Sequence, residues 1–254
     1  MLDSPLSRAW AALTRFPALV LVPIAWEALV TALMMLFKSV PAPGEGRTVT
    51  VKFLLPQTLP SGSELLGTGV NLVPGGHLPL PALLVGLLMA LAGSFITAGF
   101  LHLLVGALDG LSPTWDRFAE GVNRFGSRLL AWTLLTVAAI TLAVVIGMGL
   151  GQAAVLLLLV GLVAVILFYL VPFLIVAEDL SVGEAISRAP ARLLAELGPL
   201  FVVALVSVLI SVVLSFLLSS LGLRTLWLAS PLWAFFGTFV TLGVVAVLKP
   251  AELA

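Results

Sequence analysis

The chain has no cysteine, only two histidines and a single tyrosine, and charged residues make up just 9% of it. The missing thiols exclude disulfides, thiolate metal sites and cysteine nucleophiles. Two histidines are too few for a histidine-rich metal centre. His77 stands in a polar stretch without a second ligand at metal-like spacing, and His102 reads as a packed or interfacial side chain. The formal net charge is zero, and no basic stripe with interleaved aromatics is present, so nothing in the pattern recruits nucleic acid. Ala92-Gly93-Ser94-Phe95 lacks the second glycine of a hydrolase elbow. Gly147, Gly149 and Gly151 follow no strand and precede no P-loop lysine, so helix packing or a turn accounts for them. With no nucleophile–base pair or carboxylate dyad to place, no enzyme activity, no cofactor and no metal are expected.

What the chain has in excess is apolar surface. Hydrophobic residues make up 61% of it and the mean hydropathy is +1.24. A water-soluble domain carries about 25% charged residues, so this composition indicates an all-α integral membrane protein.

The few charges are patterned. Glu184, Arg188 and Arg192 stand four residues apart just before a long apolar run, and Glu120, Arg124 and Arg128 repeat the spacing. That spacing sets the three charges along one side of a helix, with the acid N-terminal to the base in the favourable order for i,i+4 pairing. The other side is apolar: Phe118, Val122, Phe125 and Leu129 in one copy, Val182, Ile186, Ala189 and Leu193 in the other. Such helices suit a membrane surface. A helix breaker follows at the same place in each, Gly126 or Pro190, where a surface helix would turn into the bilayer. A degraded third copy opens the chain, with Leu2, Leu6, Ala9 and Leu13 as the apolar positions and Ala12 in place of the second arginine. Ser4-Pro5 resembles an N-cap followed by proline, and Ser112-Pro113 repeats it.

In chain order, residues 16–37 form an apolar span interrupted by Glu27, too long for the core of a signal peptide and expected to remain uncleaved. Residues 38–78 are the one long polar segment. There Thr48–Phe53 alternates as a strand does and Gly69–Val73 could pair with it, giving a small β-hairpin, with a plain connecting loop as the alternative. Residues 81–105 form a second span. Residues 129–177 carry no charge, and one helix of that length would run about 73 Å, so the chain must fold back, with the turn at Gly147–Gln152. Ser181 and Glu184 fit a capping box that starts the next surface helix. Spans five and six occupy about 198–221 and 226–248.

The expectation is a single membrane domain over 1–254 built from three units, 1–108 (with the outer loop 38–78), 111–176 and 181–248. Each is a cytoplasmic amphipathic helix followed by a hairpin of spans. Arg8, Arg15, Arg117, Arg124, Arg128, Arg188, Arg192 and Lys249 fall on one side, against Lys38, Arg47, Lys52 and Arg224 on the other. The excess puts both termini in the cytoplasm.

Residues 171–188, from Val171-Pro172 through Glu178-Asp179 to Glu184-Ala185-Ile186-Ser187-Arg188, are the most specific stretch. They resemble bacterial multi-spanning proteins related to the membrane domain of glycerophosphodiester phosphodiesterases. In those, a span ends near proline, an acid follows, and an Ala-Ile/Leu-x-Arg-Ser helix opens the next unit. The resemblance implies about six spans in a bacterial cell membrane. It covers residues 171–194, Ala189 stands where serine is common, and no soluble phosphodiesterase domain accompanies it, so the enzymatic role does not carry over.

Two functional classes follow. In the first, the chain is a non-catalytic module that organises lipid or supports a membrane partner complex, itself or another protein. Its candidate contacts are Glu120, Arg124, Arg128, Glu184, Arg188 and Arg192, reaching anionic headgroups or a cytoplasmic partner. The structural alternative is that these charges anchor helix ends and fix topology. In the second class, the chain is a permease or lipid-handling transporter that uses Glu27, an acid deep in a span. The alternative for Glu27 is a carboxyl hydrogen-bonded to a neighbouring span.

Overall fold

Proline, which has no N–H and crowds the carbonyl four residues earlier, sets most of the breaks in this fold. The computed structural model describes residues 4–36, 58–60, 80–150, 154–221 and 226–249. Within them run α1 (Pro5–Arg15), a 3-10 turn (Pro17–Val20), α2 (Leu21–Leu36), α3 (Leu80–Leu108), α4 (Trp115–Leu150), α5 (Ala154–Leu167), α6 (Val171–Ala177), α7 (Val182–Ala195), α8 (Leu197–Leu221) and α9 (Leu226–Leu248). Among the described residues every regular element is helical. The strand pairing expected at Thr48–Phe53 and Gly69–Val73 lies outside the described residues.

Among the described residues, five helical stretches are long and apolar enough to cross a membrane: Leu88–Leu108, Trp115–Gly147, Leu159–Ala177, Leu197–Leu214 and Pro231–Leu248. The first two segments make a sixth if taken together, although Pro5–Arg15 and Pro17–Leu33 meet at 93°. Phe16 and Pro17 form that corner. Ser4 caps α1, its Oγ accepting from the Ser7 N–H at 3.2 Å, and Pro5 occupies the first helical position as expected.

The breaks differ from expectation in three places. Gly126 does not bend the chain, because α4 continues through it as one helix of 36 residues. Its glycine instead allows close packing: a Cβ there would sit 2.5 Å from the Phe95 ring of α3. Pro190 does not end α7, which continues to Ala195. The interruption falls at Glu196, where Pro199, three residues into the following helix, crowds the carbonyl of Ala195. Pro172 acts likewise on the fourth span, which is two helices separated by a turn at 168–170 rather than one. The turn expected at 147–152 begins later, since α4 continues as helix to Leu150, and the rest of that segment lies outside the described residues before α5 starts at Ala154.

Helix starts and stops have visible causes. Ser181 and Glu184 form the expected capping box, Glu184 accepting from the Ser181 N–H at 2.9 Å. Ser112-Pro113 does not start α4. Thr114 takes that place, its Oγ1 accepting from the Arg117 N–H at 3.4 Å, and Pro113 stands just outside the helix. The C-terminus of α3 closes in a Schellman turn: Leu111 N–H donates to Gly106 O at 2.9 Å, Gly110 N–H donates to Ala107 O at 3.1 Å, and Gly110 has φ +76°.

The core joins α3, α4, α6 and α9. Phe100, Leu101, Leu104, Phe125, Leu170, Leu174, Ile175 and Leu242 are essentially fully buried in one cluster. The apolar faces of the amphipathic helices belong to this core rather than to a membrane surface. Ala9, Ala12 and Leu13 of α1, Phe125 and Leu129 of α4, and Ala185, Ala189 and Leu193 of α7 are all buried within the protein. Trp10 of α1 sets its ring edge-on to Phe235 and Phe239 of α9, centroids 6.0 and 5.8 Å away. From the long connection between α2 and α3, Leu59 and Pro60 are buried, with Pro60 against Gly237 of α9.

The tightest seam is between α3 and α4. A Cβ on Gly121 would meet His102 Cβ at 2.5 Å and the Ala98 carbonyl at 3.1 Å, and one on Gly99 would enter the Phe118 ring. Backbone cannot move aside as a side-chain tip can, so G121A should destabilise the protein by about 1–3 kcal/mol. G161A, where nothing lies within 4 Å, is the matched control and should be neutral or slightly stabilising. Thermal unfolding of both variants in mild detergent checks this.

Candidate functional site

The turn between α6 and α7 holds two adjacent carboxylates, Glu178 and Asp179, and the four motif arginines close on them from two sides. On the α4 side, Arg124 Nη2 donates to Asp179 Oδ2 at 2.6 Å and Arg128 Nη1 to Asp179 Oδ1 at 2.7 Å. Arg128 Nη1 also reaches the carbonyl of Leu180 at 3.2 Å. Both guanidiniums lie against the Phe125 ring, at 5.3 and 5.8 Å from its centroid. On the α7 side, Arg192 Nε donates to Glu178 Oε1 at 3.3 Å, and Arg188 lies 3.9 Å from the other oxygen of the same carboxylate. The two copies of the charge motif therefore meet in space, although 64 positions separate Arg124 from Arg188 (188 − 124).

This differs from the pairing that the spacing suggests. Neither Glu120 nor Glu184 forms the close ion pair with the arginine four residues on. Glu184 is drawn back onto Ser181, whose N–H and hydroxyl donate to it at 2.9 and 2.7 Å. Its carboxyl lies below the ordinary carboxylate range, first because of those Ser181 hydrogen bonds and then because of Arg188 and Arg128. Glu120 stands 3.8 Å from His102 Nε2 of α3. Among the candidate residues, the arginines are thus brought together and the two motif acids are not.

Asp179 has φ +52°, the left-handed region that aspartate tolerates better than most residues. The backbone turn there is what aims one carboxylate back at α4 while its neighbour faces α7. The Arg124 and Arg128 hydrogen bonds, in that order, hold the Asp179 carboxyl below the ordinary carboxylate range.

A second set of contacts fixes the end of α9. The last carbonyls of a helix have no partner in the next turn, and cations there are favoured by the helix dipole. Arg8 Nη1 of α1 donates to Ala246 O at 3.2 Å, and Arg192 Nη2 of α7 donates to Leu248 O at 3.4 Å. Lys249 Nζ donates to Asp109, at the end of α3, at 2.6 Å. Arg192 is therefore shared by Glu178, Glu196 at 3.4 Å and the α9 terminus. Through these contacts the ends of α3, α6 and α9 and the helices α1, α4 and α7 meet at one end of the bundle. Glu178, Asp179, Asp109, Lys249 and Arg8 complete the layer without having been marked as site residues by their spacing. The available signal was their position, each within a few residues of a span end.

Glu27 lies elsewhere, half-buried on α2, where the neighbouring Trp26 packs on Gly93 of α3.

D179N removes the charge and keeps a residue that accepts the left-handed turn. Asp179 is 43% exposed, which keeps its ion pairs at the modest end. D179N should lower Tm by about 2 °C at low salt, with less effect in 1 M salt. The sign with pH follows from the lowered carboxyl. Its contribution is complete above the unfolded value, about 3.9, and is lost as pH falls through the folded one. The wild-type advantage over D179N should thus be constant above about pH 5, begin to shrink only near about pH 4, and vanish only at a pH below the lowered folded value, as read by Tm in acid titration.

Comparison of the chain with protein-family models, with curated proteins and with solved structures finds no match.

Proposed function

We propose that this chain is a polytopic inner-membrane protein, a non-catalytic module that organises lipid or supports a membrane partner complex. The long apolar helices make it compatible with a multi-pass membrane protein. The finer reading is six spans in three units of amphipathic helix and hairpin. Gathering of Arg8, Arg124, Arg128, Arg188, Arg192 and Lys249 at one end supports a cytoplasmic placement of that end and of both termini. The resemblance of residues 171–194 to the phosphodiesterase membrane domain agrees with this assignment and rests on those residues alone.

The observation that carries the reading is how polar groups are used within the bundle. Ser94, Ser207, Thr238 and Thr241 are buried among apolar side chains. Ser94 Oγ closes on Ala90 O and on Thr133 Oγ1, both at 2.8 Å, while Thr238 and Thr241 donate to the carbonyls of Ala234 and Gly237 on their own helix. A substrate path through the membrane needs polar groups that face a shared cavity. Among the described residues the hydroxyls of Ser94, Thr238 and Thr241 bond carbonyls of their own helices, Ser94 also bonding Thr133 across α3 and α4, and this favours a module over a permease. The ordered charges are instead gathered at the one end proposed as cytoplasmic, where headgroups and partners would be met.

Native mass spectrometry of the protein extracted gently from its own membrane tests this. The expected outcome is reproducible retention of one lipid class or of a stoichiometric protein. Release as a bare chain under conditions that preserve other membrane complexes would contradict the proposal.

A further inference from the structure

The arginines singled out by their spacing are occupied: Asp179 holds Arg124 and Arg128, and Glu178 holds Arg188 and Arg192. Arg8 is held by the Ala246 carbonyl of α9. Two others at the same end are not so used. Among the described residues, neither Arg15, the last residue of α1, nor Arg117, in the first turn of α4, makes an ion pair or a side-chain hydrogen bond.

Each guanidinium lies against a glycine at the C-terminal end of α3. Arg15 Nη1 lies 3.3 Å from where a Cβ on Gly110 would stand, and Arg117 Nη1 lies 3.4 Å from the same point on Gly106. Gly106 lies in the last turn of α3 and Gly110 in the Schellman turn that closes it. The absence of side chains at both positions is what admits the two cations. The carbonyls of Gly106 and Ala107 are already taken by the N–H groups of Leu111 and Gly110, so the end of α3 does not consume the arginine donors. Neither nearby acid reaches the two arginines. Asp109 is held by Lys249, while Asp116 is exposed in the first turn of α4 and forms no ion pair with Arg117.

Apolar and aromatic side chains surround the pair. Trp115 is 76% exposed and stacks on Phe118 at 5.1 Å, Leu111 is exposed beside Gly106, and Arg15 lies over the Phe16 ring at 5.1 Å. Exposed tryptophan at the level of unpaired cations is the composition of a membrane interface, where rings seat among acyl chains and arginines meet phosphates. Bidentate guanidinium geometry suits a phosphate oxygen pair.

We infer that Arg15 and Arg117 form the phosphate-binding pair of an anionic phospholipid site at the end of α3, with Trp115 and Leu111 against the acyl chains. This rests on the lipid reading above and moves its binding residues from the motif arginines to the two that the ion-pair layer leaves over.

The test compares wild type with the charge-neutral R15Q/R117Q variant and with R15K/R117K in detergent, by native mass spectrometry during titration with phosphatidylglycerol, phosphatidylcholine or inorganic phosphate. Wild type should take up phosphatidylglycerol saturably and in preference to phosphatidylcholine. R15Q/R117Q should bind it about 30-fold more weakly with Tm unchanged, and R15K/R117K should fall between. Equal uptake by wild type and R15Q/R117Q would overturn this site while leaving the lipid reading intact. Inorganic phosphate competing as well as the lipid would also overturn it, in favour of a free-anion site. Wild type that takes up neither lipid would remove both the site and the lipid reading.

Discussion

Two neighbouring carboxylates in one short turn hold the charged end of this protein together. Glu178 and Asp179 follow a span, precede an amphipathic helix, and face opposite ways because Asp179 takes a left-handed backbone conformation. Each closes on the arginine pair of a different helix, so that α4 and α7 are tied through side chains that belong to neither. An exposed ion pair contributes little alone, but a network whose members share partners restricts geometry more than it adds energy. Arg192 illustrates the point, since it touches Glu178, Glu196 and the last carbonyl of α9.

Apolar packing supplies the rest. The faces of α1, α4 and α7 that look suited to a membrane surface are instead buried against the bundle, and Trp10 sits between Phe235 and Phe239. Each amphipathic helix is thus bonded to the protein on its apolar side and to other helix ends on its charged side. The outward faces of α4 and α5 differ: Ile140, Leu142, Val145, Leu156 and Val160 are exposed apolar side chains, as a lipid-facing surface requires.

Much of this organisation was legible in the residues. Span positions followed from length and hydropathy, and α8 and α9 begin and end within a residue of expectation because long apolar runs bounded by breaks leave little freedom. Ser4-Pro5 and Ser181–Glu184 marked two helix starts through cap chemistry that depends only on neighbours. What stayed hidden depends on distant chain. Gly126 resembles a hinge in sequence, and only the Phe95 ring across the seam makes it a packing residue. Pro190 and Pro199 are equally plausible breakers on paper, and the chain yields at the second. Glu-x3-Arg spacing is satisfied by a pair within a helix or by a face presented to another helix, and periodicity does not distinguish them. Glu178 and Asp179 were visible as the acids of a family-like stretch, but their role appears only when α4 lies alongside.

The central claim is that arginines of the two motif copies are coupled to the Glu178–Asp179 turn and not to the acids of their own helices. A double-mutant cycle on unfolding free energy in detergent measures this most directly, pairing Arg128 with Asp179 and, for comparison, Arg124 with Glu120. The account predicts a coupling for Arg128–Asp179 at the upper part of the usual ~0.2–1 kcal/mol range, reduced by salt, and a smaller one for Arg124–Glu120. A coupling confined to Arg124–Glu120, with Arg128 and Asp179 strictly additive, would contradict it.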